Sequence, residues 1–321
     1  MAAEKEKIIT EKTKKNLILH LLLVLIIFPL FLEIFPSGSF SDRSLGFELL
    51  HLCFEKTQNT QDYIEFLNIG QGDSTLIKSG DSAVLIDFGL KSDNNKIYNS
   101  LLKRGIKRLE LAVITHHHSD HMGDFLSLAE NIKINRLIIN NTTAEDGENE
   151  LYQKVITTAI KNGTEIILPK TGSVFKFGNA TLEILSVDRL AAEENKRSVN
   201  MMVNICGKNI LFTGDSDAET EQSLIKSSNI KCDILKLGHH GSAGSSYTEF
   251  LKAAAPKFAV ASCGYDNLYN HPSADAVRRA EELGIKVLRT DLDRNIKVEF
   301  NIEENNYSVT TERGTLYADI R

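Results

Sequence analysis

The sequence contains no tryptophan, and it has only five prolines and four cysteines in 321 residues. The cysteines, at positions 53, 206, 232 and 263, are far apart and form no C-x-x-C pair. This spacing excludes a disulfide framework. Three of the four lie inside apolar runs, so we predict buried free thiols.

Positively charged side chains are fewer than negatively charged ones, 37 against 43. The formal net charge is -6, and no run of lysine and arginine interrupts the chain beyond its first residues. A broad electrostatic attraction for nucleic acid is therefore excluded, and any phosphate binding has to be local. With 42% hydrophobic and 25% charged residues, the composition is that of an ordinary globular protein with a substantial core.

One long hydrophobic run departs from this composition. It is "NLILHLLLVLIIFPLFLEIF", Asn16 to Phe35, and lysines lie immediately before it. We expect a short basic cytoplasmic tail over 1–15 and a transmembrane anchor over 16–35. Small residues at 37–41 keep a cleavable signal segment open as the alternative. The rest of the chain would be extracytoplasmic in a single-pass cell-membrane protein, or secreted if the segment is cut.

Regular secondary structure is expected beyond a linker over 36–60, in one domain over 61–321. Short β-rich runs such as "YIEFLNI", "STLIK" and "SAVLIDF" are separated by Gly/Asp turns, and "NNKIYNSLLKRG" predicts a helix that ends at Gly105. "LELAVIT" predicts a buried strand, and helices alternate with strands towards the carboxyl end. This order indicates an α+β fold in which two sheets pack face to face with helices outside.

Histidines cluster where the strand "LELAVIT" ends. The motif is "THHHSDH", and its imidazoles and carboxylate are typical metal ligands. Residues two apart in an extended segment point the same way, so His116 and His118 can reach one ion, while His117 points away. Asp120 and His121 can face a second ion. Zinc suits these ligands, and manganese is the harder alternative.

Further ligands are expected at three other strand ends. "LFTGDSD" presents Asp215 at a glycine turn, where its carboxylate could bridge two ions. "ILKLGHHGS" presents His239 and His240, and "YNHPS" presents His271 before a proline. Each of these motifs alone is common in turns. Their interpretation as metal ligands is supported by the histidine motif at 116–121.

The "HHHSDH" motif matches the H-x-H-x-D-H signature of the metallo-β-lactamase fold superfamily. The flanking motifs "LNIGQGDSTLI", "VLIDFG", "NKRSVNMMV", "ILFTGDSDAETE", "DILKLGHHGSAGSS" and "SCGYDNLYNHPS" occur in the same order. Together they resemble the hydrolase domain of ComEC-type competence proteins and its stand-alone relatives, over about residues 60 to 298.

The resemblance implies an αββα four-layer sandwich and two divalent metal ions, Zn²⁺ or Mn²⁺. The implied residue roles cover the ligands of the ions and the groups that act on the substrate. The metal ligands would be His116, His118, Asp120, His121, Asp215 and His240, the catalytic groups Asp120, His239 and His271, and the substrate-binding groups Ser242 and Asn200. The reverse assignment of His239 and His240 stays open. Because ligating imidazoles are commonly oriented by carboxylates, Asp73 and Asp87 are the candidates for that role.

The function predicted from these motifs is an exported metal-dependent phosphodiesterase, with DNA as the expected substrate and DNA-uptake machinery as a possible partner. Two alternatives stay open at this point. One is a phosphodiesterase for cell-envelope polymers or small diesters. The other is a non-catalytic accessory protein of DNA uptake. The sequence does not predict an oligomeric state.

Overall fold

A computed structural model describes residues 61–91, 95–141, 148–301 and 305–314, together with the backbone of 316–317. The chain divides into two units, Met1–Asn59 and Thr60–Arg321. The predicted tail, membrane segment and linker lie outside the described residues. Among the residues that are described, no helix combines the length and the apolarity needed to cross a membrane.

Strands dominate the described part of the chain and form two large sheets and one small pair. In chain order they are β1 Tyr63–Phe66, β2 Thr75–Ser79, β3 Ser82–Ile86, β4 Arg108–Leu109, β5 Leu111–Val113, β6 Lys133–Ile134, β7 Arg136–Ile138, β8 Glu165–Ile167, β9 Val174–Phe177, β10 Ala180–Ser186, β11 Asn200–Ile205, β12 Lys208–Phe212, β13 Ile234–Lys236, β14 Phe258–Ala261, β15 Lys286–Arg289, β16 Ile296–Asn301, β17 Asn306–Thr311 and β18 Leu316–Tyr317. The first sheet has the order β18-β17-β16-β1-β2-β3-β5-β7-β8, the second has the order β15-β14-β13-β12-β11-β10-β9, and β4 pairs with β6.

Helices cover the outer faces of both sheets. They are α1 Lys96–Lys103, α2 Ser119–Met122, α3 Phe125–Ala129, α4 Asn149–Lys161, α5 Ala218–Ser227, α6 Thr248–Ala254, α7 Ala274–Glu282 and α8 Thr290–Asp293. Helix α1 is the one expected before Gly105, whose φ of 68° suits glycine at a helix end.

Three hydrophobic clusters show how the layers pack. Side chains alternate along each strand, so Val84 and Ile86 of β3 face the second sheet, while Leu85 faces the helices. In the second sheet Phe212 faces the first sheet and Leu211 faces its own helices. The core between the sheets and the two outer cores make four layers, which confirms the predicted αββα sandwich.

The carboxyl-terminal strands were not predicted from the sequence. β16 pairs antiparallel with β1, and β17 pairs with β16, so these strands extend the first sheet on the side away from β3. The prediction of buried free thiols is confirmed for Cys232 and Cys263, whereas Cys206 is a free thiol that is only half-buried. Cys53 lies outside the described residues.

Helix α5 is tied by a buried carboxylate to the segment before α6. The Glu221 carboxylate accepts hydrogen bonds from the backbone N–H groups of Ser246 and Tyr247. Burial raises the pKa of Glu221 to about 7, even though these hydrogen bonds and Arg279 act to lower it. Glu221 therefore holds the loop that leads away from His239 and His240, and its carboxyl group changes protonation near neutral pH.

We expect Glu221 to reduce stability as the pH rises. Its pKa increases from 4.5 in the unfolded chain to about 7 in the fold, so the folded state binds more protons in this window. The free energy of unfolding should fall by up to about 3 kcal/mol across it. Urea unfolding of the protein and of Glu221→Gln isolates the effect as the difference between two pH profiles. A difference that does not change with pH would contradict the expectation.

Candidate metal centre

All seven histidines of the described residues meet at one edge of the sandwich. Strands β3 and β5 run parallel, and so do β12, β13 and β14, so their carboxyl ends point to the same edge. Parallel strands commonly present ligands at this end. The segments that follow them carry Asp87, the motif at 115–121, Asp215, the pair His239–His240, and the loop 262–271.

A first group of possible ligands consists of His116, His118 and Asp215, whose donor atoms all lie within 4.8 Å of one another. His116 Nε2 and His118 Nδ1 are 3.1 Å apart. Two nitrogens bound to one tetrahedral zinc would be separated by about 3.3 Å. Asp215 Oδ2 is 3.9 Å from His116 Nε2, on the same side. The spacing fits one divalent cation.

A second group shares Asp215 with the first and contains Asp73, His121, Asp215 and His240. Asp215 Oδ1 is 3.3 Å from His121 Nε2, and Asp215 Oδ2 is 3.5 Å from His240 Nε2. Asp120 adds a further oxygen, because its Oδ2 is 3.0 Å from His240 Nε2. Asp215 thus belongs to both groups, which is the position expected of a bridging carboxylate.

The chemistry of the buried donors fits a metal as well as their spacing does. His121 Nε2 and Asp215 Oδ1 are buried and make no hydrogen bond of acceptable geometry with any described residue. A buried polar atom without a partner destabilises a fold. Imidazole nitrogens and carboxylate oxygens are zinc and manganese ligands, so cations bound here would supply the missing partners.

A buried carboxylate orients His121. Asp87 Oδ2 accepts a hydrogen bond from His121 Nδ1 at 2.9 Å, and Asp87 Oδ1 accepts one from the Thr115 N–H at 2.8 Å. With the proton on Nδ1, the lone pair of Nε2 faces Asp215. This is the arrangement by which carboxylates fix the tautomer of ligating histidines.

His240 is oriented from two sides. Its Nδ1 lies 3.0 Å from the carbonyl oxygen of Ser262, and Asp73 Oδ1 is 3.3 Å from the same nitrogen. Asp73 Oδ2 also pairs with Lys236 Nζ at 2.8 Å. Because Asp73 already balances this buried ammonium and contacts the side of His240 that faces away from Asp120, its contacts suit an orienting group.

The electrostatics of the cluster favour bound cations. Burial acts to lower the pKa of His240, but the Asp215 and Asp73 carboxylates outweigh it and raise that pKa to about 10. Burial likewise opposes protonation of His121, yet Asp215 and Asp87 hold its pKa well above 6.5. In the absence of metal, protons on the imidazoles therefore balance the carboxylates, and metal binding would displace them.

His117 points away from the cluster, as its spacing predicted. Its Nε2 is 3.0 Å from the carbonyl oxygen of Asn140, and its ring packs 4.4 Å from the ring of Tyr152 on α4. Its backbone N–H donates to Glu194 Oε1 at 2.9 Å. The middle histidine thus fixes the motif to α4 and to the loop before β11.

His239 and His271 lie on the open side of the centre. The His239 side chain is 34% exposed, whereas that of His240 is 2% exposed. Their backbones both have positive φ, 49° and 55°, which turns the two rings in different directions. His239 Nε2 is 3.7 Å from Asp215 Oδ2, and the His271 ring is 5.3 Å from the His239 ring. Both imidazoles can therefore contact a molecule that approaches the cluster.

The predicted substrate-binding pair is only partly in place. Asn200 is fully buried, donates to the carbonyl oxygen of Ser198 and accepts a hydrogen bond from Ser216. These bonds make Asn200 a structural residue below the site, in place of the predicted substrate contact. Ser242 is half-buried beside the histidine pair, and its hydroxyl accepts from the Gly244 N–H.

The sequence pattern did not predict that two charged residues, Lys236 and Glu194, contact residues of the site. Lys236 is 2% exposed although it is a lysine, and it pairs with Asp73. Its position inside the apolar run "DILKLG" was the available signal, since lysine is almost never fully buried without a partner. Glu194 is also buried, and nothing in its loop sequence pointed to His117.

Close backbone packing beside Asp120 explains one glycine of "GQGD". A Cβ on Gly72, whose φ is 112°, would lie 2.4 Å from the Asp120 carbonyl oxygen. Gly72→Ala should therefore lower the unfolding free energy by about 2 kcal/mol and displace Asp120. Gly70→Ala is the matched control, because it shares a positive φ but would meet only Lys96 Nζ at 3.6 Å. Thermal unfolding and metal content of both variants test this, and equal effects would count against it.

Comparison with known proteins agrees with this geometry. The sequence pattern of the metallo-beta-lactamase superfamily matches residues 67–265. The chain is 30% identical over 271 residues to ComE operon protein 3 of Bacillus subtilis, covering 78% of this chain and 34% of that protein. It is 34% identical over 226 residues to the competence protein ComA of Neisseria gonorrhoeae, covering 70% of this chain and 30% of that protein. The chain thus spans about a third of the length of these curated relatives.

Solved structures show the same fold at low sequence identity. The metallo-beta-lactamase fold protein YhfI from Bacillus subtilis matches with a TM-score of 0.52 at 14% identity, covering 74% of this chain and 99% of that one. CmlA, a diiron β-hydroxylase from Streptomyces venezuelae, also has a TM-score of 0.52, at 13% identity, covering 76% and 55%. The predicted resemblance to competence proteins is confirmed, and the chain belongs to the metallo-beta-lactamase superfamily.

Proposed function

We propose that this chain is an exported, binuclear metal-dependent phosphodiesterase that cleaves DNA. The observation that carries the proposal is the position of Asp215, whose carboxylate belongs to both groups of possible ligands. Its Oδ2 lies 3.9 Å from His116 Nε2 and 3.5 Å from His240 Nε2, and its Oδ1 lies 3.3 Å from His121 Nε2. The similarity to competence proteins of two organisms supports a role beside DNA-uptake machinery. The lysine-flanked apolar run over 16–35 supports export.

In the proposed centre, His116, His118 and Asp215 would hold one ion, while Asp120, His121, His240 and Asp215 would hold the other. Zn²⁺ fits the nitrogen-rich set best, and Mn²⁺ is the alternative. Bound there, such ions would supply activation of water at neutral pH and charge compensation for a phosphodiester. Asp73 and Asp87 orient His240 and His121.

The chain's own groups on the open side complete the mechanism. His239 and His271 are positioned to donate hydrogen bonds to a phosphoryl or leaving oxygen, because both rings line the mouth of the cluster. Ser242 and the turn 238–241 lie beside them. Glycine is needed at both ends of this turn for packing, because a Cβ on Gly238 would lie 3.2 Å from the Ser216 carbonyl oxygen and one on Gly241 would lie 2.6 Å from Pro272 Cβ.

The decisive experiment uses the full chain, with bound metal measured before any assay. Single-stranded DNA, duplex DNA and bis-p-nitrophenyl phosphate are then tested beside Asp120→Ala and His121→Ala. We expect wild-type turnover of DNA that both variants lose. Bound metal without turnover of any substrate would overturn the proposal in favour of an accessory protein.

One observation favours a second candidate, a phosphodiesterase for cell-envelope polymers or small diesters. Two basic residues of the motifs around the site are engaged by acids: Lys196 pairs with Glu193 and Glu219, and Lys236 pairs with Asp73. A polyanion gains little from such residues. Turnover of the model diester without turnover of DNA would select this candidate.

A further inference from the structure

We propose that the loop after β14 forms a stacking platform for unpaired bases, which makes single-stranded DNA the preferred substrate of this site. The inference rests on the proposed phosphodiesterase function. The platform consists of Tyr265, Leu268 and Tyr269, whose side chains are 78%, 96% and 66% exposed. Among the described residues, these three are a concentration of exposed apolar side chains within five positions.

Hydrogen bonds within the loop hold the three side chains of the platform in their exposed positions. The Asn267 side chain donates hydrogen bonds to the carbonyl oxygens of Gly264 and His271 and accepts from the N–H groups of Tyr269 and His271. Gln71 fixes the base of the loop, because its Oε1 accepts from the Gly264 N–H at 3.1 Å. A side chain that uses all its hydrogen-bonding capacity on its own loop holds the backbone in one shape. The aromatic rings are thus presented to solvent by a braced segment.

The platform continues into the candidate metal centre. The Tyr269 ring stacks on His271 with centroids 5.8 Å apart and planes 26° from parallel. The His271 ring is 5.3 Å from His239, and His239 Nε2 is 3.7 Å from Asp215. A phosphodiester bound at the ions therefore has its attached nucleoside beside Tyr269.

The side chains of the platform and the charges around the site favour a nucleic-acid base over other ligands. Lys196 and Lys236 are paired with acids, so the polymer cannot be held mainly through its phosphates at those positions. Base stacking on aromatic side chains does not need positive charge, and every base offers a face for it. Bases in a duplex are already paired and stacked, so exposed tyrosines select a strand whose bases are free.

The test compares two oligonucleotides of equal length and charge, a single strand with normal bases and the same strand with abasic sites. With the metal-loaded full chain, Tyr269→Ala should raise KM for the normal strand about tenfold relative to the abasic strand. Tyr269→Trp should restore the ratio, because tryptophan retains a stacking face. Ile160→Ala removes an apolar side chain that is 64% exposed on α4 and serves as the matched control.

Fluorescence anisotropy in EDTA measures binding of the same strands without hydrolysis, so it tests the platform even if the proposed activity fails. Equal losses on the two strands would overturn the platform, as would binding that does not respond to Tyr265→Ala or Tyr269→Ala. Flotation with phosphatidylglycerol vesicles tests a lipid surface as the occupant. Vesicle binding that depends on these tyrosines, without discrimination between the strands, would also overturn the proposal.

Discussion

Asp215→Asn is expected to lower hydrolysis at least about 10³-fold and to reduce bound metal at both positions together. The carboxylate has one oxygen 3.3 Å from His121 and the other within 3.9 Å of His116. An amide keeps the shape but loses the charge and one acceptor oxygen, so neither ion keeps a full set of ligands. Losing several kcal/mol of charge stabilisation corresponds to a loss of this size.

The measurement is metal content by elemental analysis beside kcat on a phosphodiester substrate. Asp217→Asn is the matched control, two positions further along the chain. Asp217 begins α5, where its carboxylate accepts from the Thr220 N–H at 3.0 Å, and asparagine serves this helix-capping role nearly as well. A variant at 215 that retains two ions per chain would refute the bridging position.

Much of the centre could be predicted because its residues lie at strand ends in readable motifs. Four metal-ligating groups in six positions have no packing explanation, and the spacing placed His116 and His118 together and sent His117 elsewhere. Asp215 and His240 lie at one edge because β12 and β13 are parallel neighbours whose carboxyl ends share that edge. The motif follows β5 of the other sheet, and only the structure shows that the two edges meet. Here periodicity and chemistry indicate the same arrangement.

What could not be predicted depends on burial and on contacts that the sequence pattern does not show. Asn200 was assigned to substrate binding because of its motif, but burial decides its role, and only Ser198 and Ser216 show that its amide is used internally. The strands β16 and β17 were missed for a related reason. The pairing of β16 with β1 joins segments more than 200 residues apart, and local patterns carry no information about such a contact.

The proposed platform is also a feature that the sequence did not predict, although here the side chains are exposed instead of buried. Aromatic residues in "CGYDNLYNHPS" resemble an ordinary turn in sequence, and the composition gave little reason to expect a surface for stacking. Only the hydrogen bonds of Asn267 and the exposed fractions of its neighbours distinguish a braced platform from a loose loop.

Asp87→Asn should weaken metal binding at the His121 position by about 100-fold while the fold persists. Asparagine tolerates the φ of 61° at this residue, and its amide oxygen can still accept from the Thr115 N–H. Its amide nitrogen, however, would face His121 Nδ1 at the place where a carboxylate oxygen now accepts. The imidazole would then move its proton to Nε2, and a protonated nitrogen cannot bind a cation.

Titration of the metal-free protein with Zn²⁺ or Mn²⁺, followed calorimetrically, measures this affinity. Excess metal should restore activity to Asp87→Asn, since the variant alters the tautomer and removes no predicted ligand. Asp62→Asn is the control: Asp62 is equally buried and accepts from Ser79 and Gly80, but it lies away from the cluster. It should lose stability and keep metal affinity. If both variants bind metal like the wild type, the orientation of His121 does not limit metal binding, and the role assigned to Asp87 is wrong.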